Sequence, residues 1–284
     1  MNFWLTQAFN GVSYAALLFL LGSGLSLIFG VMRIVNLAHG SYFMLGGYVA
    51  LTCIRHTGSW LLALPVAATS VAILGVLMER LFLRRLGFDP LRQVLLTVGF
   101  AFLFQQAALD IWTGSHFDIS PPEVLSGTLQ VGTLYLPVYR IFMIFMAVAI
   151  GLMLWLSLEK SRLGALVRAT VDDAAMARGV GIDTSRVSML IFALGAFLAA
   201  LGGVIGGTFL GLYPGLDFEI LPLAFAVVII GGMGSLSGAA LGALAVGLAD
   251  NFGKALFPEI SYFTLYAPMV LVLAIRPTGL FGRV

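Results

Sequence analysis

The chain reads as an all-α, polytopic transmembrane bundle of about eight or nine membrane segments, some short or broken, with a further helix on the cytoplasmic side. Three observations predict this. Hydrophobic residues fill 60% of the 284 positions and charged residues only 10%, too little polar surface to cover a water-soluble globule of this size. Apolar runs of helical length follow one another with short polar breaks between them, so 1–284 is read as a single transmembrane domain. Basic residues crowd into two of the breaks and are missing from a third, the asymmetry that orients a membrane protein.

The apolar runs extend from about Ala8 to Val31, Leu37 to Ile54, Trp60 to Phe82, Val94 to Trp112, Val138 to Leu158, Val187 to Leu212, Ile220 to Met233, Leu236 to Ala249 and Tyr262 to Ile275. The first lacks a basic flank and a small-residue cleavage site and is longer than a signal-peptide core, so it is read as a retained helix. Arg80, Arg84, Arg85 and Arg92 mark one break, and Lys160, Arg162, Arg168, Arg178 and Arg186 another; Thr113 to Pro137 holds Asp118 and Glu123 with no lysine or arginine. The positive-inside rule places the first two in the cytoplasm and the third outside. Arg33, Arg276 and Arg283 then fall inside and the N-terminus outside, which after an outer turn at Tyr213 to Glu219 one long broken element or three crossings would satisfy, three being favoured. Ile220 to Met233 would measure only about 21 Å. So short a segment is tolerated at membrane depth when it is buried in protein or lines a wet cavity.

Glycine recurs every fourth residue at Gly203, Gly207 and Gly211 and at Gly234, Gly238 and Gly242, and Gly22, Ser26 and Gly30 repeat the pattern. Such stripes are helix faces on which another backbone can approach closely; some could instead face a solute route. Asn36 and His39 interrupt an apolar run near the inner face, where a break between helices exposes backbone groups that need partners. They serve there as caps and interhelical bonds, or as a gate. Asp110, Asp217 and Glu219 are expected to be solvated at the outer edge, and Asp250 and Asn251 to end a span. Candidates for the pathway or gate are Asn36, His39, Gly40, Gly46 and Gly47 about the first break, and Gly232, Gly234, Ser235 and Gly238 about a second.

No catalytic or metal-ligating constellation is present. Cys53 is the single cysteine, Lys160 and Lys254 are the only lysines, and neither lysine stands in a phosphate loop. If ATP is used, another subunit hydrolyses it. Gly234-Ser-Leu-Ser-Gly238 lacks the spacing of a serine nucleophile loop. The most specific local feature is Arg162 to Asp183. Leu163, Leu166, Val167, Thr170, Val171, Ala174 and Ala175 follow helical spacing, and Gly179 and Gly181 stop the helix. A helix over about 162–179 is too short and too charged to span. It either docks into a partner's groove or rests on lipid headgroups.

GVSYAALLFLLGSGLSLIFGVMRIVNLAHGSYFMLGGYVA from Gly11, RATVDDAAMARGVGID from Arg168, IIGGMGSLSGAALGAL from Ile229 and RPTGLFG from Arg276 stand in order along nearly the whole chain. Together they resemble the permease subunits of bacterial branched-chain amino acid importers, most of all the shorter, H-type permease. The resemblance implies a bacterial inner-membrane subunit, and the charge pattern gives it a periplasmic N-terminus and a cytoplasmic C-terminus. It implies pairing with a homologous second permease, two cytoplasmic ATP-binding subunits and a periplasmic solute-binding protein. No cofactor is expected in this chain, ATP and Mg being bound by the partner ATPases, and nothing points to nucleic acid. The stretch from Arg168 would be the loop that couples to the ATPase, carried by Arg168, Ala169, Asp172, Asp173, Ala177, Gly179 and Gly181. Ala169, Asp173, Ala177 and Gly181 keep the importer motif's four-residue spacing, and Arg168 stands where that motif has glutamate. A urea, amide or other small-solute importer of the same architecture is the nearest alternative. A passive channel would have no use for a docking helix, and an ion-coupled carrier should place carboxylates near the midplane.

Overall fold

Lipid offers the backbone no hydrogen-bond partner, so an apolar run buried in it must close its own bonds as a helix. The computed structural model describes residues 2–87 and 89–282; Arg283, expected inside, lies outside the described residues. In chain order the helices are α1 (Asn2–Met32), α2 (His39–Thr57), α3 (Trp60–Leu81), α4 (Pro90–Trp112), α5 (Val138–Lys160), α6 (Arg162–Asp172), α7 (Ala174–Gly179), α8 (Thr184–Leu210), α9 (Leu216–Gly231), α10 (Leu236–Leu256) and α11 (Ser261–Ile275). Six of them, α1, α3, α4, α5, α8 and α10, are long and apolar enough to cross a membrane. With the shorter or more polar α2, α9 and α11 they make the polytopic all-α bundle that the sequence predicts. The one sheet among the described residues is an antiparallel hairpin of β1 (Thr128–Val131) and β2 (Leu134–Pro137), in the loop without lysine or arginine.

The bundle is built around α1 and α8. α1 packs on α5, α8, α9 and α10, and α8 also on α2 and α3. Small residues set these distances: a Cβ at Gly46 would meet Ala200 and one at Gly247 would meet Ala15. Gly203 lies so near the Phe43 carbonyl that no side chain fits between them. By contrast α3, α4 and α5 turn Ile73, Leu95, Phe102, Phe145 and Met153 outward, which costs nothing against lipid tails. Helix entries at the arginine-rich end are capped by side-chain oxygens. Asp89 accepts from Arg92 N at 3.2 Å, Asp183 from Arg186 N at 3.0 Å and Ser235 from Gly238 N at 3.0 Å.

Two helices start inside the bundle. After α1 the chain climbs back. His39 Nε2 lies 3.0 Å from the Leu21 carbonyl, about 16 Å before the end of α1. Leu37 N donates to Thr97 Oγ1 at 3.2 Å, about 10 Å along α4. The Asn36 to His39 break is therefore a re-entrant turn that leads from the arginine-rich end back into the bundle. α9, sixteen residues with Pro222 inside it, also begins within the bundle, because Gly40 at the start of α2 abuts the carbonyl of Asp217.

Candidate functional site

The element between α5 and α8 is braced at both ends. Ser161 caps α6 by accepting from Gly164 N at 3.2 Å, and Gly164 is pressed on the Leu158 carbonyl so that a Cβ would collide. Arg168 donates back to that same carbonyl and lies 3.9 Å from Glu159. The single helix expected over 162–179 is divided at Asp173, whose backbone is extended at φ −153 and ψ 100. The cause is local: Asp173 Oδ1 accepts from Ala175 N at 2.8 Å and Met176 N at 2.9 Å. Its carboxylate thus starts a new helix in place of continuing the old one. α7 closes with Ile182 N on the Ala177 carbonyl and Gly181 N on that of Arg178, both 3.0 Å. Gly181, at φ +90, takes the left-handed position that this stop requires.

Of the predicted coupling residues, Arg168, Asp172, Asp173, Gly179 and Gly181 are exposed, Ala169 is half-buried and Ala177 is buried. Next to them Met176 and Val180 are 66% and 71% exposed. Under α6 an apolar groove of about 590 Å³ runs between Leu154, Leu158, Leu166, Val187, Leu190 and Leu194.

The re-entrant break forms a second polar centre. Asn36, His39, Ser41 and Asp217 are all buried, and Ser41 Oγ donates to Asp217 Oδ2 at 2.7 Å. Asn36 Oδ1 accepts from Ala38 N at 3.1 Å, turning the chain into α2. Asp217 was expected to be solvated at an outer edge; it lies instead in the first turn of α9 against the first turn of α2. Two helix N-termini, each the positive end of a macrodipole, converge on its carboxylate. Asp217 Oδ1, His39 Nδ1 and Asn36 Nδ2 have no protein partner among the described residues.

The remaining candidates divide between the two breaks. Gly40 packs on α9, Gly46 on Ala200, and Gly47 on Leu212 and Gly203. Gly232, Gly234, Ser235 and Gly238 lie where α1, α9, α10 and the closing segment meet. Gly30 touches Gly234, Gly231 touches Gly238, and Ser26 Oγ donates to the Ser235 carbonyl at 3.3 Å. Leu280 N and Phe281 N donate to the Ile230 and Gly231 carbonyls at 2.9 and 3.0 Å, tying RPTGLFG to this junction. Gly234 precedes α10 and Gly211 follows α8, so neither four-residue stripe is one continuous helix face.

Sequence inspection missed a third place. At the end opposite the arginine-rich loops, a cavity of about 580 Å³ opens between α1, α9, α10 and α11. α10 runs on past the expected stop at Ala249, because Asp250 and Lys254 pair one turn apart at 2.8 Å. That acid–base spacing was the available signal.

Residues 7–273 match the family model described as branched-chain amino acid transport system permease component. LivH, a permease protein of the high-affinity branched-chain amino acid transport system of Escherichia coli, is 31% identical over 99% of this chain and 96% of its own length. BraD, the permease protein so described in Pseudomonas aeruginosa, is 30% identical with the same coverage. LivM, a second such permease protein of Escherichia coli, is 25% identical over 92% of this chain and 67% of its own length. No solved structure matches the chain. A bundle of membrane-length helices with short, re-entrant partners, matched over nearly its full extent, places this multi-pass membrane protein in the family of branched-chain amino acid transport permease components.

Proposed function

We propose that the chain forms half of the transmembrane pathway of an ATP-driven importer of branched-chain amino acids in a bacterial inner membrane. The other half is a homologous second permease, a pairing supported by the similarity of this chain to both LivH and LivM of one organism. Two cytoplasmic ATP-binding subunits hydrolyse ATP with Mg, and a periplasmic binding protein delivers the solute. The N-terminus is periplasmic and the C-terminus cytoplasmic. The charge asymmetry supports this, with Arg84, Arg85, Arg168 and Arg178 at one end and the hairpin loop, free of lysine and arginine, at the other.

The observation that carries this proposal is the build of α6 and α7. They are short helices fixed by Gly164, Arg168 and the Gly181 stop, yet they present Asp173, Met176 and Val180 outward. An element braced to two long helices passes on a rigid-body displacement, whereas a floppy loop would absorb it. Closure of the ATPases pushes on α6 and α7, and α5 and α8 carry the movement into the glycine-set contacts among α1, α2 and α9. The pathway opens alternately to the two sides. In the assembled importer, Asp173→Arg and Gly181→Trp should each abolish ATP-dependent leucine uptake while membrane insertion persists. Undiminished uptake in both would remove the docking role.

A further inference from the structure

The cavity at the periplasmic end carries charges of both signs on an apolar wall. Asp250 is only 3% exposed and is held by Lys254 at 2.8 Å, while the lysine side chain remains 63% exposed. Lys254 Nζ also sits 5.8 Å from the centre of the Tyr14 ring. An ammonium has three donors, and Asp250 occupies one. Glu219, which also lines the cavity, accepts from the Tyr213 hydroxyl at 2.6 Å, which uses one of the carboxylate's lone-pair positions. Burial, then the bond to Glu219, pushes the Tyr213 phenol up to about 12, so it stays a donor. Between these polar groups the wall is Leu216, Ile220, Leu223 and Leu265.

We infer that this cavity is a binding site for the α-amino acid in transit, its carboxylate on Lys254, its ammonium on Glu219 and its aliphatic side chain against Leu223 and Leu265. A zwitterion with an apolar tail is the ligand that uses both signs of charge and the apolar wall together; urea or an amide has no charge to offer either group. With Asp250 neutralised by Lys254, Glu219 remains as the uncompensated charge, and it favours the ammonium end. The volume falls in the range of small-molecule sites. The cavity lies at the end away from the arginine-rich loops, the side from which the proposed binding protein would deliver, so the inference rests on the importer assignment and adds a place within this chain where specificity acts.

The test uses the assembled importer in nanodiscs, without the binding protein, and measures binding of radiolabelled leucine and valine. Lys254→Gln and Glu219→Gln should each weaken leucine binding roughly tenfold or more, the loss of one charge-assisted bond, and Lys254→Arg should restore most of it. Leu223→Phe narrows the wall and should shift preference from leucine toward valine. Leucine binding unchanged in both charge variants, together with an unchanged leucine-to-valine ratio in Leu223→Phe, overturns the site. Should Lys254→Gln fail to assemble, Glu219→Gln at its exposed position and Leu223→Phe decide alone. ATP-driven uptake by the unaltered importer, reconstituted in proteoliposomes with its binding protein, separates the two levels. Uptake with no effect of the variants sinks the site, whereas no uptake of any branched-chain amino acid sinks the importer assignment.

Discussion

Asp217 is a carboxylate with 2% of its surface exposed, in a protein whose interior holds few groups able to face it. Leaving an ion there without partners would cost several kcal/mol. What offsets that cost is specific: the Ser41 hydroxyl at 2.7 Å and the first turns of α2 and α9. Removing the hydroxyl in Ser41→Ala should destabilise the purified protein by about 1–3 kcal/mol, read as a lower thermal midpoint in detergent. In an Asp217→Asn background the same substitution should cost far less, because a neutral amide needs less from its neighbour. Equal losses in both backgrounds would show that Ser41 does not act on the charge. This pairing was not legible in the sequence. Asp217 looks like a surface residue of an outer turn, and only the return of the chain through Asn36 to His39 brings a second helix start against it.

At the scale of the element, lipid makes prediction easy where it acts and leaves the rest to side chains. α3, α5, α8 and α11 begin within a few residues of the expected places, because a long apolar run has one way to satisfy its backbone. The misses lie where polar side chains decide. Asp89 and Pro90 start α4 four residues before the apolar run does, Asp250 and Lys254 carry α10 past its expected end, and the 128–137 hairpin was read as plain loop. Asp173 is the case that bears on the proposed docking, since one carboxylate turns an expected helix into two. Asp173→Ala should remove the cap of α7 at a cost of about 1 kcal/mol, while Asp173→Asn should keep it. Hydrogen exchange of the α7 amides should then be roughly fivefold faster in the alanine variant and near unchanged in the asparagine variant. If both variants match the unaltered protein, the joint is set by packing and not by this side chain.

For the whole molecule, the candidate residues fall at three levels along the bundle axis. α6 and α7 lie at the arginine-rich end, the Ser41 and Asp217 centre lies within, and the Asp250 and Lys254 cavity lies at the far end. α1 ties these levels together, packing Gly30 on Gly234, Leu21 beside His39 and Tyr14 at the cavity. The proposed importer requires one direction of insertion only, with the arginine-rich end toward the ATPases and the far end toward the arriving solute. Ser126, in the hairpin loop, and Arg178, on α7, are both exposed and belong to opposite ends. Cysteines placed one at a time at these positions, with Cys53→Ala removing the native thiol, should therefore label differently in intact cells. A membrane-impermeant maleimide reaching through the outer-membrane pores should modify the cysteine at 126 at once and the one at 178 only after the inner membrane is permeabilised. Labelling of 178 in intact cells would reverse the bundle. The braced helices would then sit where no nucleotide is available, and the cavity between Glu219 and Lys254 would open on the side from which nothing is delivered.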